Sequence, residues 1–203
     1  MDTAAPWDFT TPPLEVGANS IARFAQGVLY VVSRSEDTIT AIDPVSWSIL
    51  QVYALAEGSE PLDIAVVDAQ SAYVTRRLAT HLLRLDLDTG ATSEATDLSM
   101  FADADGVPDM GMMALHEGRL FVQIRRQNGD PGPLVPPAYL AVVDIGTEQL
   151  IDVDPVAPGV QAIELAGTKP CGDCQRQREL PSSIFTPSPW TDSCATRISV
   201  ATS

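Results

Sequence analysis

A repeat of 43 residues is the feature that most constrains the fold of this chain. Tyr30 and Tyr73 are separated by 43 positions, as are Asp43 and Asp86. The dipeptide Ile-Ala at 21–22 recurs at 64–65 with the same offset. Markers that keep one register without a gap predict two copies of one structural unit. Periods of 20–50 residues are typical of solenoids, propellers and other arrays.

A third copy follows the first two. GRLFVQIRR (118–126) matches GVLYVVSR (27–34), and YLAVVDIGTEQL (139–150) matches TITAIDPVSWSIL (38–50). The intervening QNGDPGPLVPP (127–137) is rich in Pro and Gly, which predicts a surface loop. The predicted organisation is an irregular lead-in at 1–17, blade units at 18–60, 61–107 and 108–169, and a degenerate fourth unit or divergent tail at 170–203.

Each unit contains short β-rich runs joined by turn residues. The first unit divides into four predicted strands, at Ile21–Ala25, Val28–Ser33, Thr38–Asp43 and Ile49–Leu55. No window of the repeats has a convincing helical period. Four antiparallel strands in about 43 residues form the blade of a β-propeller. The sequence therefore predicts an all-β propeller of four-stranded antiparallel blades whose ring is incomplete.

An acidic residue ends the third strand of each unit, and a hydroxyl residue follows three positions later. The pairs are Asp43 with Ser46, Asp86 with Thr89, and Asp144 with Thr147. A carboxylate at this place accepts turn N–H groups, and the hydroxyl adds a further bond. Gly90 suits a left-handed residue after the turn. We therefore predict that these acids are turn caps and not catalytic acids.

The repeat resembles the YVTN-type β-propeller family. Tyr73, Val74 and Thr75 match the Tyr-Val-Thr-Asn strand, with Arg76 in place of Asn, and the motif's later Asp and Thr-Gly match the segment 86–90. The resemblance covers about residues 18–166. It implies a ring of about seven blades, which needs about 300 residues. The chain is then a fragment of a seven-bladed propeller or, in the alternative, its ring is completed by a second copy.

Charge and hydropathy exclude several classes of partner. The chain has 12 basic and 27 acidic residues, a formal net charge of −15. Phosphate backbones and anionic lipid surfaces would be repelled, so no nucleic acid partner and no membrane insertion are expected. Apolar runs stay far below the ~20 residues of a membrane span. The N-terminal sequence lacks the pattern of a signal peptide, and the resemblance implies an extracytoplasmic location.

Arginines recur after the second predicted strand of each unit. They are Arg34 in the first unit, Arg76 and Arg77 in the second, and Arg125 and Arg126 in the third. Arginine recognises carboxylates and other oxyanions through its planar fork of donors. The pattern predicts either an anion pocket at the propeller mouth or ordinary solubilising charge on strand edges.

The segment DADGVPD (103–109) places three carboxylates on a loop turned by glycine. Asp103, Asp105 and Asp109 are the oxygen ligands that calcium prefers. An EF-hand would need a Glu at the twelfth position, where the chain has Ala114. We therefore expect either a calcium site or a solvated acidic turn, and no other cofactor.

The remaining candidates for chemistry are few. Cys171 and Cys174 have the spacing of a redox pair or half a zinc site, but Cys194 is the only other cysteine. His81 and His116 stand alone, which favours surface or hydrogen-bonded roles. No nucleophile elbow, phosphate-binding loop or zinc-protease motif occurs.

Two hypotheses about function follow. The first is a non-catalytic binding or scaffold propeller that acts through its rims on a protein or glycan partner. The alternative is part of a propeller enzyme, because the resemblance includes lactone-hydrolysing and quinone- or amine-oxidising relatives. An incomplete ring would leave the central site of such an enzyme unfinished.

Overall fold

The computed structural model describes residues 15–127, 132, 134 and 137–151, and the backbone of 162–165. Most of the lead-in, most of the predicted insertion at 127–137 and the whole segment 170–203 lie outside the described residues. The three cysteines, Cys171, Cys174 and Cys194, belong to that last segment. Within the described part no helix is long and apolar enough to cross a membrane.

The first two sheets are four-stranded antiparallel meanders in which each strand pairs with the next along the chain. The first contains β1 (Ser20–Ala25), β2 (Val28–Ser33), β3 (Thr38–Ile42) and β4 (Ile49–Ala54). The second contains β5 (Pro61–Val66), β6 (Ser71–Arg76), β7 (His81–Asp86) and β8 (Thr92–Asp97). The four strands expected for the first unit agree with the observed ones to within one residue at each end.

The third sheet follows a short 3-10 helix, Ser99–Phe101. It contains β9 (Met110–His116), β10 (Arg119–Ile124), β11 (Ala138–Asp144), β12 (Gln149–Leu150) and β13 (Ala162–Leu165). Both β12 and β13 pair with β11, along different parts of it. The outermost strand position of this sheet is therefore shared by two short segments.

The sheets pack face to face, and the two-residue period of a strand assigns side chains to alternate faces. Leu83 and Leu85 of β7 join a buried cluster with the first sheet, whereas Leu82 joins a cluster with the third. Ile64 and Ala65 of β5 divide in the same way. The second sheet thus lies between the other two, and β5 contacts β1 and β9. The chain is an all-β protein, and its described sheets are β-propeller blades in an unclosed ring.

A buried carboxylate joins the first strands of the three blades. Asp63 of β5 has no solvent exposure. It accepts hydrogen bonds of 2.7 and 2.9 Å from the guanidinium of Arg23 in β1. The amide of Met113 in β9 donates to it at 2.7 Å, and that of Ile64 at 2.9 Å. One side chain therefore connects the inner strands of all three blades.

The meander topology gives the blades two functionally different ends. At one end β1, β5 and β9 begin and the second strands finish, so the residues after β2, β6 and β10 lie there; we call this end the arginine rim. At the other end lie the turns between the third and fourth strands; we call it the turn rim.

Candidate anion-binding rim

Each blade places one left-handed residue immediately before its first strand. Asn19, Glu60 and Asp109 have φ angles of 55, 42 and 51°. The carbonyl of Glu60 accepts the amide of Arg77, and that of Asp109 accepts the amide of Arg125, both at 3.1 Å. These bonds fix an arginine beside the left-handed residue in the second and third blades. In these two blades an acidic residue and an arginine therefore lie side by side on the rim.

Glu60 joins two blades through its carboxylate. Arg34 of the first blade donates to Oε2 at 3.2 and 3.0 Å, and Arg77 of the second donates at 3.1 Å. The three side chains retain only 26, 14 and 32% exposure for Arg34, Arg77 and Glu60. Burial raises the pKa of Glu60, but the hydrogen bonds from the two arginines outweigh it and hold the pKa below its ordinary value. Glu60 is thus ionised at neutral pH.

Arg125 is the arginine that the third blade places beside Arg34 and Arg77. The side chain is half-buried, and its Nε is buried with no hydrogen-bond partner among the described residues. Burial lowers the pKa of Arg125; Asp109 opposes this effect, while Arg34 and Arg77 add to it. Those interactions place arginines of all three blades within electrostatic range of one another. Within the described part of the chain the Nε atoms of Arg76 and Arg126 are buried without a partner as well, so what distinguishes Arg125 is its position beside the other two arginines.

The other two predicted arginines do not join this cluster. Arg76 is the last residue of β6, and its guanidinium lies 3.7 Å from Glu94 in its own sheet. Arg126 lies over the ring of Tyr139 at 5.8 Å and donates to the carbonyl of Pro137 at 3.3 Å. The pair Arg76–Arg77 and the pair Arg125–Arg126 are also shifted by one residue relative to the ends of their strands, Arg76 and Ile124. Arg125, and not Arg126, occupies the position of Arg77.

A shallow polar depression of about 330 Å³ adjoins the first arginine of the rim. It is lined by Asn19, Arg34, Ser35, Asp37, Gly58 and Glu60. The Asp37 carboxylate accepts the amides of Gly58 and Glu60 at 2.7 Å each. Asp37 therefore holds the loop that carries Glu60 in place, and the depression offers both a cationic and an acidic wall.

The three carboxylates of DADGVPD meet on the same rim. Ligand atoms of Asp103, Asp105 and Asp109 lie within 4.8 Å of one another. Asp109 is 5% exposed, and burial raises its pKa, with smaller contributions from Asp105 and Asp103. The amide of Gln127 donates to its carboxylate and opposes the shift. The spacing suits a calcium ion, and Asp105 remains exposed as in a solvated turn, so both interpretations stay predictions.

The acids of the turn rim accept bonds from their own turns. The amides of Val45, Thr89 and Thr147 donate to Asp43, Asp86 and Asp144 at 2.8, 2.7 and 2.9 Å. These main-chain bonds are the first cause of a lowered pKa in all three carboxyls. Thr147 also donates its hydroxyl at 3.1 Å. Gly90, with a φ of 76°, occupies the left-handed position that Trp47 and Glu148 take in the other blades.

The histidines have local contacts. His81 lies 3.0 Å from the hydroxyl of Thr80 and 3.9 Å from Asp97, while His116 is exposed beside Glu117.

Sequence reasoning missed Glu60 and Asp63. The repeat places Ser20 at the position of Asp63, so Asp63 is not marked by a residue shared between units. The partners of both acids lie far away in the sequence, and local spacing does not predict them.

Comparisons with known proteins show no family for this chain. No protein-family model matches the chain, and no curated protein matches it. Among solved structures it is similar to virginiamycin B lyase from Staphylococcus aureus, at 14% identity and a TM-score of 0.45 over 73% of this chain and 41% of that one. It is also similar to BamB from Moraxella catarrhalis, at 18% identity and a TM-score of 0.36 over 62% and 33% of the two chains. The chain thus spans well under two thirds of either protein.

Proposed function

We propose that this chain is a non-catalytic binding module of a YVTN-type propeller, and that its arginine rim recognises an acidic group on a protein or glycan partner. The cluster of three arginines carries the proposal, because the half-buried guanidinium of Arg125 lies within electrostatic range of Arg34 and Arg77, so that each blade contributes one cation to this rim. An incoming carboxylate accepts hydrogen bonds from the guanidinium groups that it reaches.

The charge of the whole chain limits what can bind. At −15 the protein repels polyanions at a distance, so nucleic acid is disfavoured. A single carboxylate is different, because it needs only a local cluster of cations and a matching pair of donors. Aspartate or glutamate of a protein and uronate of a glycan both present such a group. The proposed partner is therefore weakly acidic at one point, not polyanionic.

Two further parts of the proposal rest on the resemblance to YVTN repeats. The chain is proposed to belong to a propeller with more blades, of about seven in the family, and to act outside the cytoplasm. Fractionation of cells that produce the protein from its natural gene tests the location, and a purely cytoplasmic protein would contradict it. The enzyme alternative has no specific support in the described residues, where both histidines have only local contacts.

Calorimetric titration at low ionic strength tests the anion site. The probes are galacturonate and N-acetylglutamate amide, which carry one carboxylate each, with neutral galactose for comparison. Arg125→Gln is expected to weaken binding of the acidic probes by about tenfold, because one charge-assisted hydrogen bond is lost. Arg119→Gln is the matched control, since Arg119 is exposed and begins, at the turn rim, the strand that Arg125 follows. Equal binding by both variants, or binding of galactose as tightly as galacturonate, would refute the proposal.

A further inference from the structure

β4 is the outermost strand of the first sheet and pairs only with β3 among the described strands. The amide of Leu55, just after β4, donates to the carbonyl of Asp37, just before β3, at 2.8 Å. Main-chain groups alternate in direction along an antiparallel strand. Those of Tyr53 therefore also point to β3, whereas those of Val52 and Ala54 point to the free edge. Among the described residues, that edge offers main-chain donors and acceptors that no other strand pairs.

The side chains around this edge are apolar and exposed. The exposed fractions are 88% for Val45, 58% for Trp47, 49% for Ile49, 53% for Leu50 and 46% for Val52. No residue from 44 to 56 is acidic or basic. Scattered exposed apolar side chains are ordinary, but these five lie within eight consecutive positions of the turn before β4 and of β4 itself.

The corresponding strand of the second sheet has a different composition. β8 reads TSEATD, and both Glu94 and Asp97 are exposed. Natural proteins place charges on edge strands because a bare edge pairs with other chains. β4 and β8 occupy equivalent positions in two copies of one repeat, yet only β8 has this protection. The difference indicates that β4 is a pairing edge.

We propose that the free edge of β4 pairs in antiparallel orientation with β4 of a second copy of this chain. Pairing centred on Val52 places the two Val52 residues opposite each other. A β-bulge at Leu50 leaves residues 51–54 as the regular part of the strand that can pair. The main-chain groups that point outward then bond across the two-fold axis. The exposed apolar side chains on the same face become neighbours.

The charge distribution of the chain favours a second copy as the partner and the free edge of β4 as the contact. Two copies that each carry −15 repel one another over most of their surfaces. The segment 44–56 has no side chain that is charged at neutral pH, so two copies meet here without opposing carboxylates. A strongly charged partner strand would find no counter-charge at this edge. Asp43 and Glu57 flank the segment, and screening of their repulsion strengthens the dimer as salt is added.

Sedimentation velocity of the 203-residue chain over a range of concentrations tests the proposal. The wild type is expected to pass from monomer to dimer, with a larger dimer fraction at higher salt. Val52→Lys places two ammonium groups at the two-fold axis, and we expect at least about a tenfold weaker dimer. Thr92→Lys is the matched control, because it adds the same charge to the exposed start of β8 and leaves the dimer unchanged. Leu50→Lys is a second variant, and near-ultraviolet circular dichroism verifies that each folds.

Amide hydrogen exchange gives an independent measurement. The amides of Val52 and Ala54 are expected to become protected as the wild-type concentration rises, and to stay unprotected in Val52→Lys. A wild type that remains monomeric throughout would overturn the proposal, as would a dimer that both lysine variants leave intact. A monomer whose β4 edge binds a different polypeptide would also overturn it, because the proposed occupant is a second copy.

Discussion

The arginine rim and the turn rim both use carboxylates, but in different ways. At the turn rim Asp43, Asp86 and Asp144 accept amides from their own turns. At the arginine rim Glu60 accepts bonds from Arg34 of the preceding blade and Arg77 of its own. The first arrangement stabilises one turn, whereas the second connects two blades. An acid that bridges blades has partners that no local spacing reveals.

Asp63 is the bridging acid with the most partners. It is fully buried, and its bonds reach β1 and β9 from β5. Its closest equivalent at the turn rim is Glu148, which accepts a 2.9 Å bond from Tyr73 and a 3.2 Å bond from Arg84 of the second blade. Burial is the first cause that raises the pKa of Tyr73 to about 12, and Glu148 adds to it. Each rim therefore has its own links between blades.

Asp63→Ala is expected to have the largest effect on stability. The substitution leaves the guanidinium of Arg23 and two buried amides without their acceptor. Breaking a buried pair costs 3–5 kcal/mol, and because Arg23 is 32% exposed we expect about 3 kcal/mol. Urea unfolding of wild type and variant measures the difference. Asp86→Ala is the control at the turn rim, where loss of exposed turn bonds is expected to cost clearly less. Equal losses for the two variants would contradict the distinction between bridging and turn-closing acids.

Glu60→Gln is expected to have an intermediate effect. The variant keeps the shape of the side chain and removes the charge shared by Arg34 and Arg77. Because these groups are only partly exposed, we expect a loss of about 1 kcal/mol at neutral pH, the upper end for surface pairs. Glu57→Gln, on the exposed loop nearby, is the control and is expected to change nothing measurable.

The pH dependence sharpens this prediction. The arginines hold the pKa of Glu60 below its ordinary value of 4.5 in the folded state. The ion pair therefore contributes fully above the unfolded pKa, and its contribution is lost as the pH falls through the folded pKa. Unfolding free energies of wild type and Glu60→Gln should differ most at pH 7 and converge as the pH falls below 4.5. A difference that persists in acid would show that the charge of Glu60 is not its cause.

The architecture was readable from the sequence because the repeat and the strand pattern are local properties. Tyr30 and Tyr73 mark equivalent places in β2 and β6, and the alternating runs predict strands whose observed bounds differ by a residue. The turn acids were readable for the same reason, since Asp43 and its amide donors lie within three positions. The described sheets also have the predicted form of a blade, with four antiparallel strands side by side.

The candidate site was readable only in part. The recurrence of arginine after each second strand predicts that these residues lie at one end of the blades, but it does not predict which of their side chains meet there. Arg76 ends β6 and turns to Glu94, because strand alternation gives consecutive residues opposite directions. Glu60 gave no signal, since a left-handed position ordinarily favours Gly or Asn, and its φ of 42° is imposed by the tertiary structure. The role of such residues depends on contacts between blades, which the local sequence does not show.

Asp105→Asn on the arginine rim is expected to have the smallest effect, and with the opposite sign. Burial raises the pKa of Asp109, and the charge of Asp105 raises it further. A raised carboxyl pKa means that ionising Asp109 opposes folding, fully so above the folded pKa and not at all below the unfolded one. Removing the charge of Asp105 should therefore increase stability at pH 7 by up to about 0.5 kcal/mol and have no effect in strong acid.

Added calcium separates the two interpretations of the same cluster. Calcium bound by Asp103, Asp105 and Asp109 would neutralise their repulsion and stabilise the folded state according to its concentration. The calcium hypothesis therefore expects the thermal midpoint of the wild type to rise with calcium and fall with chelator, and the response to weaken in Asp105→Asn. Asp88→Asn, at an exposed position on the turn rim, should respond as the wild type does. An identical response in all three proteins would leave a solvated acidic turn, in which the amide of Gln127 and the charge of Arg125 stabilise the ionised Asp109.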